Sequence, residues 1–387
     1  MTTLPTPKLS TLRRIAFTFL ALNLCCGFIL TLLPTLSHAS EKNIVIVQSI
    51  DLSGPNGDIG RDYVAGITSY FDSINTSGGL QGKRIRFVVR DDKGEPALAA
   101  QIAQQLLEHE KPQFMLGGIG AETTAAILAT PGFKQSGLLL FAPLTDASPA
   151  HHHRALVWRP NRQQELEVIF KHLEKLGLKN IGIAHIDSPA NRDSYALIQK
   201  EIARRNLNLV GSAKLSNDQQ ATARQIEKLA QTNPGLVITL ADTINTGIFL
   251  KTFRKAAPTT FVAGTSMLNL ATLGEVAGKN AMEWTMFSQV VPNPGSATTA
   301  LQLEHVKTMR KFRDEAVSAM SLEGFAVAKT LTRAILAGAG NSFSAMQSFT
   351  RANSELDGMD LVRTEGHSTL SQFVDLALFR RGGSLLY

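Results

Sequence analysis

The stretch from Asn43 to Asp92 constrains the fold of this chain more than any other. Residues 44–47 are apolar and mostly β-branched, a run of the length expected for a buried strand, and the Ser-Gly-Pro-Asn-Gly sequence that begins at Ser53 predicts a turn. From Gly60, apolar residues recur at helical spacing up to the Gly78-Gly79 pair, which favours a helix end. A second strand-like run follows at 85–89. The order strand, loop, helix, strand predicts a parallel sheet.

This alternation continues through most of the chain. Helices are predicted at 95–108, 122 to about 133, 163–176, 194–205, 219–231 and 244–255, and strands at 114–116, 138–141, 181–185, 207–213, 236–240, 261–263 and 372–379. The chain is therefore predicted to be an α/β protein. Its 387 residues exceed what one hydrophobic core usually serves, so two domains are expected. Open parallel sheets bind ligands at the carboxyl ends of their strands, so the loops there are the first candidates for a site.

The first 39 residues have the three parts of a secretory signal peptide. Lys8, Arg13 and Arg14 form a cationic lead, residues 15–33 are largely apolar, and Ser37-His38-Ala39 is a small-x-small cleavage site before Ser40. The apolar run is long enough for an uncleaved anchor, but the cleavage-like site favours removal. Either reading predicts export.

Both cysteines, Cys25 and Cys26, lie within this segment, and the residues before them do not resemble a lipoprotein box. A chain that begins at Ser40 therefore has no disulfide, no thiol catalysis and no cysteine-based metal site. Loss of three basic residues leaves 36 Lys and Arg against 32 Asp and Glu, a net charge of +4. Basic residues do not cluster with aromatic ones, so no nucleic-acid partner is expected.

Several motifs in the first half of the chain occur together in one known family. In order, they are Ser53-Gly54-Pro55, Gly60, Gly66, Ile74-Asn75, Gly78-Gly79, Gly82 and Asp91-Asp92 before Pro96. Their order and spacing resemble the leucine/isoleucine/valine-binding protein family, the receptors of branched-chain amino-acid ABC transporters. The resemblance implies the type I periplasmic-binding fold, which has two doubly wound Rossmann-like lobes joined by a multi-strand hinge.

The resemblance also implies a division of the chain. Residues 1–39 are the signal peptide, 40–158 plus about 292–360 the N-terminal lobe, and 159–291 plus about 361–387 the C-terminal lobe. The chain would cross between lobes near Arg159 and Val291. A ligand that contacts both lobes would favour the closed arrangement, so closure about this hinge is expected.

The loop from Gly117 to Thr124 follows the third predicted strand and is rich in glycine. It is not a dinucleotide fingerprint, because Thr123 stands where that motif needs its third glycine. Glycines let the backbone approach a ligand, and a helix N-terminus offers N–H groups to an anion. In the resembling family this loop holds the ligand carboxylate.

The resemblance assigns ten positions to the ligand site: Ser53, Ile59, Gly120, Ala121, Glu122, Thr123, Thr145, Asp146, Asn191 and Ser266. Several depart from the family pattern: Ile59 replaces an aromatic residue, Ala121 a serine, Asp146 a hydroxyl residue, Asn191 a tyrosine and Ser266 an acid. Simple aliphatic amino acids are therefore not expected as ligands. Glu122 and Asp146 would favour a cationic or hydroxylated partner. Two alternatives stay open: Asp146 caps its own turn, or the loop alignment shifts and the usual site is intact.

No catalytic motif is present: the chain has no G-x-S-x-G, H-E-x-x-H or Walker sequence. Carboxylates at Glu122, Asp146 or Asp187 could still act as an acid-base pair. His151-His152-His153 is read as a surface turn and not a metal site. No enzyme activity and no cofactor are expected.

The expected function is that of a periplasmic substrate-binding protein of an ABC transporter. Its ligand would be a small polar molecule, amino-acid-like, an amide or an organic acid, and its partner an inner-membrane permease. The protein is expected to be a monomer. The alternative is a sensory or assembly protein with the same fold.

Overall fold

Two sheets of mainly parallel strands organise the computed structural model, which describes residues 43–145, 154–338, 355–361, 369–379 and 385–386. The described residues belong to one compact unit that begins at Asn43. The first sheet has five strands in the order β2-β1-β3-β4-β5, and the second has seven. We call each sheet, with the helices that cover it, a lobe. The prediction of an α/β fold with two such sheets is confirmed.

The first lobe is built mainly from the N-terminal part of the chain. Its elements up to the first crossing are β1 (Ile44–Ile50), α1 (Gly57–Thr76), β2 (Ile85–Asp91), α2 (Pro96–Glu110), β3 (Phe114–Leu116), α3 (Ala121–Ala129), α4 (Pro131–Ser136), β4 (Leu140–Phe141) and β5 (Ala155–Leu156).

The second lobe begins after the first crossing and follows the same alternation. Its elements are α5 (Arg162–Leu176), β6 (Asn180–Ile186), α6 (Pro189–Arg204), β7 (Asn208–Leu215), α7 (Gln219–Gln231), β8 (Leu236–Leu240), α8 (Thr243–Phe253), β9 (Phe261–Gly264), α9 (Leu270–Ala277), a 3-10 turn (Lys279–Met282) and β10 (Thr285–Gln289).

The remaining elements return to both lobes. They are α10 (Ala300–Phe312), α11 (Ala319–Leu336), a small hairpin of β11 (Glu355–Leu356) and β12 (Met359–Asp360), and two strands that extend the second sheet antiparallel, β13 (Asp375–Phe379) and β14 (Leu385–Leu386).

The two sheets repeat one topology. In the first sheet, β1 lies between β2 and β3, and in the second, β6 lies between β7 and β8, so the second sheet reads β14-β13-β10-β9-β8-β6-β7. In each sheet, the second strand is added on one side of the first strand in the sequence, and the later strands are added on its other side. Because crossovers leave a reversal point in opposite directions, a crevice opens there at the carboxyl ends of the strands.

Both faces of each sheet are covered, as parallel sheets require. All seven residues of β1 are buried, as are all five of β8 and of β10. Two apolar clusters lie against the first sheet and two against the second. This double burial explains why the strands read as short continuous apolar runs.

Helix α11 returns the chain to the first lobe and packs against α1. Glycines permit this close approach: a Cβ on Gly66 would lie 1.9 Å from the backbone oxygen of Ser321, and a Cβ on Gly324 would lie 2.1 Å from that of Tyr63. The carbonyls are backbone atoms within helices, so they have little freedom to move. The two helices are therefore held at near-backbone contact.

Some predicted boundaries are wrong. The helix predicted to reach residue 133 ends at Ala129, because Thr130 is extended and Pro131 starts α4. The helix predicted from Ser194 begins at Pro189, where the Ser188 side chain accepts a hydrogen bond from the backbone of Asn191. Smaller shifts occur at α1, β4, β7 and β13, and the short helix α9 was not predicted.

Three earlier predictions lie outside the described residues: the signal peptide, Asp146 and the histidines at 151–153. The lobe boundaries stay predictions. Within the described ranges, none of the helices has both the length and the apolarity needed to cross a membrane.

Candidate functional site

A cavity of about 420 Å³ lies at the carboxyl ends of the strands, between the two lobes. The first lobe contributes residues after β1, β3 and β4, and the second contributes residues after β6, β8 and β9. The strand pairs β1/β3 and β6/β8 flank the two reversal points of the sheets. The cavity therefore occupies the crevice that the topology creates, where open α/β sheets bind ligands.

Five of the ten predicted site residues line this cavity. They are Gly120, Ala121, Glu122, Thr145 and Asn191. Glu122 is exposed, whereas Thr145 is almost fully buried. The Asn191 side-chain amide donates to the carbonyls of Ile186 and Leu240, both at 3.0 Å, so it ties the loop after β6 to the end of β8.

Four predicted residues do not line the cavity. Ser53 is exposed and donates its hydroxyl to Asp91 at 2.6 Å. Ile59 is fully buried in the apolar core of the first lobe. The Thr123 hydroxyl is buried and turns back to the carbonyl of Gly120 at 3.0 Å. The fourth is Ser266, and the tenth predicted residue, Asp146, lies outside the described residues.

The fourth, Ser266, belongs to a buried polar network beside the cavity. Its hydroxyl accepts from the Arg159 guanidinium at 2.8 Å, and its backbone N–H donates to Glu165 at 2.7 Å. Arg159 also pairs with Glu323 of α11, 3.1 Å away, with both side chains 1% exposed. Burial raises the pKa of Glu323 to about 7, against the lowering effect of Arg159. Ser266 thus serves the first crossing between lobes and does not face the cavity.

The first lobe presents two helix N-termini to the cavity. Asn56 precedes α1 and its side chain does not cap the helix, and Gly120, which precedes α3, has no side chain that could do so. The first N–H groups of a helix have no partner within it and form the positive end of its dipole. Gly120 adopts a φ of +101°, which a residue with a side chain rarely adopts, so glycine allows this tight entry into α3.

The second lobe presents capped helices instead. Ser188 caps α6, Asp242 caps α8 and Asn161 caps α5 through a capping box. Both Asp242 carboxylate oxygens accept hydrogen bonds from Asn245, at 2.9 and 2.7 Å. The second lobe therefore offers a held carboxylate, where the first lobe offers amide donors.

Two charged residues of the cavity were missed by sequence reasoning. Asp242 lies just after β8, and Arg162 is the first residue of α5, with its guanidinium 3.4 Å from the carbonyl of Ala190. A signal for Asp242 existed, since an acid directly beyond a buried parallel strand lies at the edge where ligands bind. Arg162 follows the first crossing and had no such signal.

Apolar side chains complete the cavity wall. They are Ile119, Leu144, Ile186, Leu240, Met267 and Leu268. A second cavity of about 470 Å³ adjoins the first between α3, α5 and α6 and shares Ala121, Glu122, Arg162 and Ala190 with it. The crevice therefore suits a small molecule with polar ends and an apolar body.

Comparison with known proteins gives one family-level match. The model of the family described as periplasmic binding protein matches residues 43–370. An amino acid binding protein of Pseudomonas aeruginosa is 28% identical over 108 residues, 28% of each chain. The Leu/Ile/Val-binding protein homolog 2 of Brucella abortus is 24% identical over 134 residues, 35% of each chain. The chain thus aligns with well under two thirds of the length of these relatives.

Solved structures match over most of the chain. A substrate-binding periplasmic protein from Ralstonia solanacearum superposes with a TM-score of 0.81 at 22% identity, covering 89% of this chain and 99% of that one. A possible leucine/isoleucine/valine-binding protein from Rhodopirellula baltica gives 0.79 at 20% identity, covering 90% and 97%. These likenesses establish the fold.

Proposed function

This chain belongs to the periplasmic binding protein family, and we propose that it captures a small polar ligand in the inter-lobe cavity and delivers it to an inner-membrane ABC permease. Members of the family bind small molecules in the periplasm. The observation that carries the proposal is the cavity at the reversal points of both sheets, lined by residues of both lobes.

The charges around the cavity favour a ligand with two different ends. An anionic group or a carbonyl would accept from the uncapped helix N-termini at Asn56 and Gly120 of the first lobe. A cationic or hydroxylated end would face Asp242, and Glu122 adds a second acid. Arg162 gives the cavity a counter-charge that would repel a simple polycation. An amino-acid-like molecule, an amide or an organic acid meets these conditions.

Aliphatic amino acids stay poor candidates. Their head group would need the hydroxyl residues that the resembling family places at two positions lining the cavity, and here Ala121 and Asn191 occupy those positions. Each polar group of the ligand that is buried without a hydrogen-bond partner costs on the order of 1–3 kcal/mol of binding free energy. Leucine, isoleucine and valine are therefore expected to bind weakly.

A thermal-shift screen tests the binding proposal. It would cover amino acids, amides, small aromatic acids, polyamines and nucleobases, because a molecule that binds only the folded state raises the melting temperature. Calorimetry on the best compound is expected to give micromolar or tighter affinity. A largest shift from leucine, isoleucine or valine, confirmed at that affinity, would contradict the argument about the head group.

Matched variants locate the site. Arg162→Gln and Glu122→Gln each remove one charge from the cavity and are expected to change the affinity for the best compound by about tenfold or more. Arg192→Gln, an exposed arginine of the same lobe that pairs with Asp187, should leave the affinity unchanged. Equal affinities in all three variants would place the ligand elsewhere.

Transport and export need separate tests. Cells that lack the protein should lose uptake of the identified compound, whereas unchanged uptake would favour the sensory alternative. Mass spectrometry of the exported protein is expected to find Ser40 at its N-terminus. An N-terminus at Met1 would contradict cleavage of the leader.

A further inference from the structure

One short loop, residues 265–269 after β9, touches both the cavity and the opposite lobe. Thr265, Met267 and Leu268 line the cavity. Ser266 accepts from Arg159, and Asn269 contacts Asp62 of α1 in the first lobe. A five-residue segment with these contacts cannot change its path at the cavity without moving its contact with the first lobe.

Every polar group of Asn269 takes part in a hydrogen bond, so its side-chain amide has one orientation. Its Oδ1 accepts from the backbone N–H groups of Ala271 and Thr272, at 3.1 and 3.2 Å, which caps α9. Its own backbone N–H donates to Thr243 at 3.1 Å. With the oxygen used by the cap, Nδ2 points away from α9 and donates to Asp62 Oδ2 at 3.0 Å.

Asp62 lies on α1 of the first lobe and is partly buried. Burial raises the pKa of its carboxyl group, while the side chains of Ser318, which precedes α11, and of Asn269 lower it. A separate cavity of about 390 Å³, lined by Asn269, Ser318 and mainly apolar residues such as Leu270 and Met320, adjoins this contact. The hydrogen bond therefore joins a donor that is held in place on the second lobe to a partly buried carboxylate of the first lobe, in surroundings where it is strengthened.

We propose that the Asp62–Asn269 hydrogen bond is an inter-lobe latch that holds the two lobes at their present angle, with both residues acting as positioning residues for the cavity. The crossings limit the lobes to rotation about the hinge, and this contact adds a direct hydrogen bond between α1 of the first lobe and the loop after β9 of the second. Because loop 265–269 also lines the cavity, the latch and the cavity wall move together. Releasing the latch favours a wider separation.

The reciprocal swap of the two residues gives the sharpest test. Asn269→Asp keeps an oxygen for the α9 cap but replaces the Nδ2 donor with a second oxygen that faces the Asp62 carboxylate. Adding Asp62→Asn restores a donor and an acceptor in the opposite direction. A purely structural role in capping α9 would not produce this pattern, since the cap oxygen is present in all three proteins.

The readout is the inter-lobe distance in the protein without added ligand. Spin labels on cysteines that replace Gln105 of α2 and Lys228 of α7, both exposed, report on the two lobes in a full chain whose Cys25 and Cys26 are changed to serine. Asn269→Asp is expected to raise the ratio of long to short distances about tenfold. The swap should return it to within about twofold of the starting protein.

Asp72→Asn is the matched control. It lies on α1 as Asp62 does, but pairs with Arg313 at 2.7 Å inside the first lobe, so it should not change the distance. If Asn269→Asp fails to fold, Asp62→Ala tests the same bond and should also widen the distance. A folded latch variant with an unchanged distance, or a swap that does not restore it, would overturn the proposal. Because no ligand is added, a negative ligand screen would leave this result unaffected.

Discussion

His305 is expected to make the first lobe sensitive to acid. It lies on α10 with no exposed surface, its Nε2 is 3.0 Å from the Ser321 hydroxyl, and its ring packs edge-on against Phe325. Among the described residues, its Nδ1 has no hydrogen-bond partner. Burial without a charge partner disfavours the protonated ring and lowers the pKa of His305 from 6.5 to about 4.

The sign of the effect follows from proton linkage. Between pH 6.5 and about 4 the unfolded chain binds a proton at His305 that the folded protein does not. The contribution of the neutral His305 ring to the free energy of unfolding is therefore fully present well above pH 6.5 and is lost as the pH drops towards 4. At 1.36 kcal/mol for each pKa unit, the whole loss is about 3 kcal/mol, of which about 2 kcal/mol is lost by pH 5.

Urea unfolding at about pH 7.5 and about pH 5 measures this loss. His305→Gln can keep a hydrogen bond to Ser321 but does not titrate, so its stability should fall by about 2 kcal/mol less than that of the parent on acidification. His109→Gln, at an exposed position near the end of α2, is the control and should behave like the parent. An equal fall in His305→Gln and the parent would refute the reasoning, because every other titrating group is common to both.

Two further predictions concern helix packing and a half-buried arginine. Gly66→Ala would place a Cβ 1.9 Å from the Ser321 carbonyl oxygen and is expected to cost roughly 3 kcal/mol or more of unfolding free energy, whereas the Cβ of Gly274→Ala on α9 meets no atom within 4 Å and should stabilise by about 0.5–1 kcal/mol. Urea unfolding of both variants measures these changes, and equal effects would contradict the packing argument. Arg254→Ala would remove the hydrogen bonds that the guanidinium donates to the carbonyls of Ala257, Thr260, Ala281 and Glu283, and should lower the free energy of unfolding by roughly 3 kcal/mol. Arg192→Ala, at an exposed ion pair, should lower it by less than about 1 kcal/mol. An equally small loss in both variants would show that the carbonyls find other donors.

The fold was predictable because its strands carry an unambiguous pattern. Strands such as β1 and β8 are buried on both faces, and a short continuous apolar run has few other readings when turns bound it. Boundaries were harder. Thr130 and Pro131 interrupt a run that stays apolar on one face, so the periodicity alone did not show that α3 and α4 are two helices.

The site was only partly predictable. The sequence predicted Gly120, Ala121 and Glu122 as site residues because a glycine follows a strand there and a helix begins directly after it. Ile59 was misjudged because the helix was expected to begin at Gly60, whereas α1 begins at Gly57 and carries Ile59 one turn before Tyr63 on its core face. Helical spacing from the true start would have assigned Ile59 to the core.

Ser266 shows why position within a family pattern does not fix a role. The resembling family has an acid at this position, where it would meet a ligand's cationic end. In this chain the neighbouring Arg159 is already paired with Glu323, and Glu165 accepts from the Ser266 backbone, so a further carboxylate would be the third in one buried network. The pKa of Glu323, raised by burial and by Glu165, reflects that crowding.

The acid that faces the cavity lies at the end of β8 instead. Asp242 is held by Asn245 at the start of α8, and its charge faces the uncapped helix N-termini of the first lobe across the crevice. A ligand with opposite polar ends, as proposed above, would be oriented by these charges, since reversing it would set its anionic end against Asp242 and its cationic end against helix dipoles of like sign. Selectivity would then depend on the charges being on separate lobes. Any rotation of the lobes changes the distance between these charges, so the fit to a ligand and the hinge angle are set together.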